Sequence, residues 1–260
     1  MRNIRLVLEY RGTAFHGWQR QSALRTVQGE LEKSLSTILR EPITVRGAGR
    51  TDAGVHALGQ VANFRTTCDL PLERIVRGVN ALGRGELCVR DAGEAEEGFD
   101  ARRSASARHY VYLLLARPSP LWAERAWHPR AWPDAAAMNA AAGHLVGEHD
   151  FAAFSCASAD EGGTRTHVLY ARWEPWPRGL AFRIGAVRFL YKMVRGTVGL
   201  CLEVGLGRLE PEEFRRSCQE PRGRVRTVVP PHGLHLVAVD YAGGARAAGG
   251  RDCPPAWPVL

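Results

Sequence analysis

The sequence predicts an α+β fold of two α/β halves, each a mainly antiparallel sheet with helices on one face. Three observations support this prediction. The 260 residues suffice for two domains of ordinary size. Apolar residues make up 45% of the chain, enough for a substantial core. Segments with strand-like alternation are interleaved with segments whose apolar residues recur at helical three- and four-residue spacing.

The first half is predicted to have the element order βαββαβ. Thr26 is a suitable N-cap for a helix with apolar residues at Val27, Leu31, Leu35 and Ile38. Such a split order folds as an antiparallel sheet with its helices on one face. The predicted strands are 4–10, 43–45, 60–64 and 86–89, and the second helix is 71–82.

The second half has the same ingredients in a less regular order. Strands are predicted at 110–115, 168–173, 180–184 and 234–241, and helices at 133–147, 187–204 and from Pro211. We therefore expect an N-terminal domain over residues 1–104, with a catalytic loop at 49–57, and a C-terminal domain over 105–242. The remaining residues, 243–260, are rich in Gly, Ala and Pro and are expected to form a flexible tail.

Composition and charge limit the kinds of partner and location that the sequence favours. A net charge of +8 and a pI of about 9.6 favour a polyanionic partner such as a nucleic acid. A GC-rich genome would also enrich arginine, so the charge alone leaves both explanations open. No apolar run is long enough to cross a bilayer, and the first ten residues alternate like a strand. We expect a cytoplasmic protein without membrane attachment.

The six cysteines give no sign of a metal or redox site. None forms a CxxC pair, and no Cys/His cluster has the spacing of a zinc site. Scattered cysteines in a chain of this size are usually small buried side chains. The sequence therefore predicts neither a metal nor a cofactor.

The segment Gly49 to Ala57, with the sequence GRTDAGVHA, is the most unusual stretch of the chain. A carboxylate beside a guanidinium, here Asp52 near Arg50, stays ionised and keeps a fixed direction. The flanking glycines leave room for a bulky ligand to approach the backbone. An ordinary turn, in which Asp52 caps a backbone N–H and Arg50 makes a surface ion pair, is the alternative. Chemistry alone favours that alternative, because aspartate is common in glycine-rich loops.

The same loop resembles the signature loop of the bacterial TruA family of tRNA pseudouridine synthases. Further segments resemble other motifs of this family, in order and with similar gaps: 15–21 (FHGWQRQ), 99–112, 147–154, 189–195 and 233–241. Two positions depart from the pattern. Leu169 stands where the family has an arginine, and Arg84 stands where it usually has a proline. These departures affect a local contact and a loop shape rather than the proposed catalytic loop.

The resemblance implies roles for five residues. Asp52 would act at the ribose C1′ of a flipped-out uridine, and Tyr110 would stack on the base and help to remove its C5 proton. Arg195 would pair with Asp52, while Arg50 would support the loop and Leu234 would line the pocket. For the last four residues a purely structural role remains the alternative: core packing for Tyr110 and Leu234, and surface charge for Arg50 and Arg195.

The resemblance also implies a partner. Members of the family act as homodimers on the anticodon stem-loop of tRNA, at positions 38, 39 and 40, without a cofactor. The two halves would meet at a central basic cleft. Arg20, Arg102 and Lys192 are reasonable RNA contacts, although solvated surface charge explains each of them equally well.

Three other functions are alternatives for a basic chain with this loop. A pseudouridine synthase with other RNA targets would carry the same loop. A non-catalytic RNA-binding module would also be basic, but it has no need of Asp52 between an arginine and glycines. A glycosidase needs a second carboxylate near the first, and Asp100 and Asp150 lie in other segments of the chain.

Overall fold

The structure, a computed structural model, describes residues 1–156, 163–219 and 227–242. Across these residues nine strands and five helices form a mixed α/β fold with mainly antiparallel pairing, which confirms the predicted mixture of helices and antiparallel strands. The helices are α1 (Val27–Leu39), α2 (Leu72–Leu82), α3 (Ala135–Gly143), α4 (Met193–Gly205) and α5 (Pro211–Gln219). The strands are β1 (Arg2–Tyr10), β2 (Val45–Gly47), β3 (His56–Thr66), β4 (Leu87–Ala95), β5 (Ala105–Leu115), β6 (Gly147–Asp150), β7 (Arg165–Trp176), β8 (Gly179–Ala186) and β9 (Leu234–Tyr241).

The chain divides into two compact units. The first unit contains Met1–Ser106 and the described residues from His235 onward, and the second contains the described residues of Ala107–Leu234. The sequence analysis assigned the last strand to the C-terminal domain. Its residues from His235 onward belong to the first unit, where β9 pairs in parallel with β3, His56 opposite His235. The predicted flexible tail, 243–260, lies outside the described residues.

The sheet of the first unit is centred on β1, which pairs antiparallel with β3 on one side and β4 on the other. β3 pairs antiparallel with β2 near its C-terminal end and in parallel with β9 near its N-terminal end. The alternating apolar side chains of β1 face the core, since Ile4, Leu6 and Leu8 are fully buried. The N-terminal end of β3 lies directly after the glycine-rich loop.

Helix α1 begins and ends where its sequence indicates. The Thr26 hydroxyl accepts a hydrogen bond from the Gly29 N–H at 3.3 Å and thereby caps the helix. Arg40 adopts a left-handed φ of 56° just after the last turn, ahead of Pro42. The buried face is formed by Val27, Leu31, Leu35 and Leu39.

The sheet of the second unit has β8 at its centre, paired antiparallel with β5 and β7, and β6 pairs antiparallel with β7. Helix α3 ends at Gly143, earlier than predicted, and the following Gly147–Asp150 forms β6, which the sequence analysis did not predict. The short strand gains its hydrogen bonds from a partner distant in sequence, so local periodicity gives no sign of it.

Helix α4 begins at Met193, six residues later than the predicted Val187. Non-local hydrogen bonds hold the backbone before it in an irregular conformation. The Thr166 hydroxyl donates to the Arg188 carbonyl at 3.0 Å, and Lys192 has a left-handed φ of 58°. None of the helices among the described residues has the length and apolar character required to cross a membrane.

We predict that Thr26→Val lowers the free energy of unfolding by about 1 kcal/mol, because it removes the capping oxygen while preserving the size of the side chain. Urea denaturation followed by circular dichroism measures this change. Thr37→Val is the matched control, since the Thr37 hydroxyl is exposed and donates to the Lys33 carbonyl within the same helix. An equal loss from both substitutions would contradict a capping role.

Candidate active site

The glycine-rich loop between β2 and β3 places Asp52 at the surface on a buried support. Thr51 is buried, Asp52 is partly exposed and Arg50 is exposed. The Val55 N–H donates to the Asp52 carbonyl at 3.1 Å, which closes the backbone into a turn. The carboxylate therefore sits on a tight turn between two strands, where it can reach a ligand.

A buried tyrosine, Tyr10, is hydrogen-bonded to the Asp52 loop. A hydrogen bond of 2.8 Å joins the Tyr10 hydroxyl to the Thr51 hydroxyl, and Gln60 Nε2 donates to the Gly49 carbonyl at 2.9 Å. Burial raises the pKa of Tyr10 to about 12, although the hydrogen bonds with Thr51 and Gln60 act in the opposite direction. The hydroxyl therefore stays protonated at neutral pH, and Thr51 is fixed immediately before Asp52.

A second segment, residues 12–18, packs against the loop from the side. The Trp18 N–H donates to the Thr51 carbonyl at 3.0 Å. Gly17 has a φ of +87°, and a Cβ at this position would lie 2.9 Å from the Thr51 carbonyl oxygen and 3.2 Å from the Ala53 nitrogen. The backbone on both sides of Asp52 is thus in contact with Gly17, and no larger residue fits there.

His56 connects the loop to the remaining sheet of the first unit. It is buried, and its Nδ1 accepts a hydrogen bond from the Gly12 N–H at 3.1 Å. Its ring stacks on that of His235 in β9, with the centroids 4.7 Å apart. The sequence analysis assigned no role to Trp18 or His56, although both lie within the quoted motifs.

Tyr110 lies on β5 in the second unit, opposite Ile184 of β8. Only 8% of it is exposed, and its ring meets that of Phe189 edge to face at 5.0 Å. Leu234, the first residue of β9, is 5% exposed. Both side chains are therefore largely buried, which is compatible with a pocket wall and with core packing alike.

Arg195, on the first turn of α4, is half-buried rather than a fully exposed arginine. Its Nε donates to the Val229 carbonyl at 2.8 Å. The neighbouring Tyr112 hydroxyl donates to the Pro230 carbonyl at 2.8 Å. Burial raises the pKa of Tyr112 well above its ordinary value, and the positive charge of Arg195 opposes that rise. Arg195 thus anchors the segment that leads into β9.

Two of the three candidate RNA contacts lie in the first unit. Arg20 is exposed, yet its Nη1 donates to the buried carboxylate of Glu32 at 3.1 Å. Arg102 is exposed on a turn, where its N–H donates to Asp100 Oδ1 at 2.9 Å. Burial tends to raise the pKa of Asp100, but the N–H groups of Arg103 and Arg102 and the Arg46 guanidinium outweigh it and leave the pKa below its ordinary value.

The candidate residues are divided between the two units. The first unit contains Arg20, Arg50, Asp52 and Arg102, and the second contains Tyr110, Lys192, Arg195 and Leu234. Lys192 precedes α4, and its ammonium group lies 4.8 Å from the centroid of the Tyr191 ring. Within the part of the chain that the structure describes, no group of three or more His, Cys, Asp or Glu side chains is placed to hold a metal ion.

We predict that Gly17→Ala destabilises the protein more than Gly85→Ala. Both glycines have a positive φ, which costs alanine about 1–2 kcal/mol. A Cβ at Gly85 would meet nothing within 4 Å, whereas one at Gly17 would press on the backbone of the Asp52 loop, which adds about 1–3 kcal/mol. Urea denaturation of both variants measures the difference. Equal losses would show that the loop moves aside without resistance.

Comparison with known proteins identifies the family. The sequence model of the tRNA pseudouridine synthase family matches residues 6–102 and 141–242. The tRNA pseudouridine synthase A of Chlorobaculum tepidum is 46% identical over 219 residues, which cover 84% of this chain and 89% of that protein. The enzyme of the same name from Chlorobium luteolum is 45% identical over 244 residues, or 93% of this chain and 96% of the relative.

A solved structure, that of a Cbf5–Nop10–Gar1 complex, aligns with 77% of this chain and 45% of the compared chain. Its TM-score of 0.36 and identity of 16% are too low to support an inference. The family assignment depends instead on the sequence matches, which span both units and include the Asp52 loop. The chain belongs to the tRNA pseudouridine synthase family, as its motifs predict.

Proposed function

We propose that the protein isomerises uridine to pseudouridine at positions 38, 39 and 40 of the tRNA anticodon stem-loop, with Asp52 as its catalytic carboxylate. The observation that carries this proposal is the fixed backbone of the Asp52 loop. Hydrogen bonds reach it at Gly49 and Thr51, and Gly17 packs against it on either side of Asp52. A carboxylate that must meet a developing charge needs a backbone fixed in this way.

The reaction explains why a carboxylate is needed. The C1′–N1 bond breaks, the base turns, and C1′ joins C5, while C5 loses a proton and N1 gains one. Breaking a glycosidic bond builds positive charge at C1′, which a nearby carboxylate stabilises or captures. Asp52 would either add to C1′ or first abstract a proton from the sugar. Both routes are redox-neutral and use no cofactor.

A loop with a hydrogen-bonded backbone suits a catalytic carboxylate, because catalysis depends on groups that are already aligned with the developing charge. A carboxylate on a mobile loop would stabilise the transition state less, because part of its interaction energy would offset the cost of ordering the loop. The Tyr10 hydroxyl and the Trp18 N–H both bond to Thr51, one residue before Asp52. The backbone that carries the acid is therefore set before the substrate arrives.

Two of the candidate residues would contact the uracil base, and two arginines would support Asp52 and its loop. Tyr110 would stack on the flipped uracil and help to remove the C5 proton, with Phe189 holding its ring at 5.0 Å. Leu234 would complete the apolar wall of the pocket. Arg195 would pair with Asp52 and keep it ionised, and Arg50 would support the loop.

The RNA would be held mainly through its phosphates. A net charge of +8 favours this partner, and base flipping costs a few kcal/mol that phosphate contacts can offset. Arg20, Arg102 and Lys192 are the proposed contacts. We further propose that the protein acts as a homodimer in the cytoplasm. A pseudouridine synthase with other RNA targets is the nearest alternative.

We predict that Asp52→Asn lowers pseudouridine formation at least about a thousandfold, because the amide cannot stabilise a cation at C1′. Tritium release from tRNA carrying [5-³H]uridine measures the rate, and mapping of the product locates the modified positions. Asp91→Asn is the matched control, since Asp91 is an exposed aspartate of the same unit. It should leave the rate unchanged.

Three results would change the proposal. Equal release by the wild type and Asp52→Asn would keep the activity and remove Asp52 from it. Release at uridines outside the anticodon stem-loop would favour a synthase with other targets. Binding of tRNA by the wild type without release from any substrate would leave a non-catalytic RNA-binding module.

We also predict that Tyr110→Phe lowers kcat by about a hundredfold and leaves the KM for tRNA nearly unchanged. The phenyl ring keeps the stacking, while the loss of the hydroxyl removes a proton-transfer group. Tyr112→Phe is the comparison on the same strand. It removes a buried hydrogen bond to Pro230 and should lower stability without affecting the rate. An unchanged kcat for Tyr110→Phe would assign proton removal to another group.

A further inference from the structure

Residues 187–192, between β8 and α4, form an irregular segment that is fixed to its surroundings. The Val187 N–H donates to the His167 carbonyl at 3.1 Å, and the Cys156 N–H donates to the Tyr191 carbonyl at 3.1 Å. Arg108 Nη1 donates to the Val187 carbonyl at 2.8 Å. Both ends of the segment are therefore held by distant parts of the second unit, so its exposed side chains are presented in defined directions.

The side chains of this segment divide between the interior and the solvent. Phe189 contacts the ring of Tyr110, and Leu190 is 6% exposed. Tyr191 is 49% exposed and Val187 is 44% exposed, although both are large and apolar. A segment that is hydrogen-bonded at both ends and exposes an aromatic ring two residues from a contact of Tyr110 has the properties of a binding surface.

The charges around Tyr191 favour a nucleic acid as the ligand. The Lys192 ammonium lies 4.8 Å from the ring centroid, whereas the Arg188 guanidinium donates to the Arg165 carbonyl at 3.1 Å. No acid occurs between Ala186 and Arg195 in the sequence. An exposed aromatic ring beside a cationic side chain is the usual arrangement for stacking a base and contacting its phosphate.

We propose that Tyr191 is a stacking platform for a base of the RNA substrate, with Lys192 contacting the adjacent phosphate. The proposal extends the proposed function, since it adds a nucleotide next to the target uridine. The contact between Phe189 and Tyr110 places this segment beside the residue proposed to stack on the target base. A stacked neighbour would hold the strand while the target nucleotide is flipped, at a site that needs no base-specific hydrogen bond.

Equilibrium binding of a labelled, unmodified tRNA transcript tests this platform. Tyr191→Ala should weaken binding about tenfold and Tyr191→Phe by less than about twofold, because the phenyl ring keeps the stacking face. The side chain is half exposed, so the melting temperature should be preserved. Trp132→Ala is the matched control, since Trp132 is 47% exposed in the same unit. It should leave the Kd unchanged.

The salt dependence of binding separates stacking from charge. Between about 50 and 200 mM salt, Lys192→Met should reduce the slope of log Kd against log salt by about one, as expected for one phosphate contact. Tyr191→Ala should weaken binding at every salt concentration and leave this slope unchanged. A change of slope in Tyr191→Ala would show that the ring only orients the Lys192 ammonium, which would overturn the stacking proposal.

Other results would also contradict the platform. An unchanged Kd in Tyr191→Ala, or an equal loss in Trp132→Ala, would rule out a specific role for the ring. A change in oligomeric mass instead of Kd would indicate that Tyr191 contacts a second copy of the chain. Tritium release by the wild type keeps these outcomes apart from a failure of the proposed function, because binding and isomerisation are measured separately.

Discussion

A buried hydrogen bond between the hydroxyls of Tyr10 and Thr51 joins the Asp52 loop to the core of the first unit. A hydroxyl withdrawn from water must find a partner, and leaving one unpaired costs about 1–3 kcal/mol. Tyr10 lies at the end of the central strand of the first unit, so its position is set by the core. Through Thr51, the core fixes the residue that precedes the acid. The loop is irregular in conformation, yet its backbone is held by hydrogen bonds at Gly49 and Thr51.

This dependence explains why the quoted motifs contain residues without reactive groups. The segments 15–21 and 49–57 are far apart in sequence, yet Gly17 and Trp18 contact the backbone of Thr51 directly. At Gly12, a Cβ would lie only 2.0 Å from the Val55 carbonyl oxygen, so the second side of the loop is equally confined. The glycines are therefore requirements of packing around the Asp52 loop.

Much of the fold follows from local signals. The Thr26 cap, the helix α1 that it begins and the bounds of the last strand agree with the sequence pattern. The structure differs from the sequence prediction where contacts with residues distant in sequence determine the conformation. Residues 187–192 have a helical apolar pattern but are held in an irregular form by bonds to His167, Thr166 and Cys156. Likewise, β9 pairs in parallel with β3 of the first unit, a pairing that no periodicity indicates. The motif indicates Asp52 as the acid of the candidate site, but it does not indicate the support from Tyr10 and His56, whose contacts are distant in sequence.

The two units achieve a fixed geometry by different physical means. In the first, a polar loop is held by hydrogen bonds to its backbone, so the carboxylate can remain partly exposed without becoming mobile. In the second, aromatic rings are placed by packing: Tyr110 is buried against Phe189, and the same segment then turns Tyr191 outward. Electrostatic catalysis requires a charge whose position is set in advance, whereas nucleotide binding requires exposed apolar area close to cations. The hydrogen-bonded Asp52 loop meets the requirement for a charge positioned in advance. The irregular segment 187–192, which is hydrogen-bonded at both ends, meets the requirement for exposed apolar area close to a cation. It follows that substitutions in the loop should act on the rate, and substitutions at the exposed ring should act on affinity.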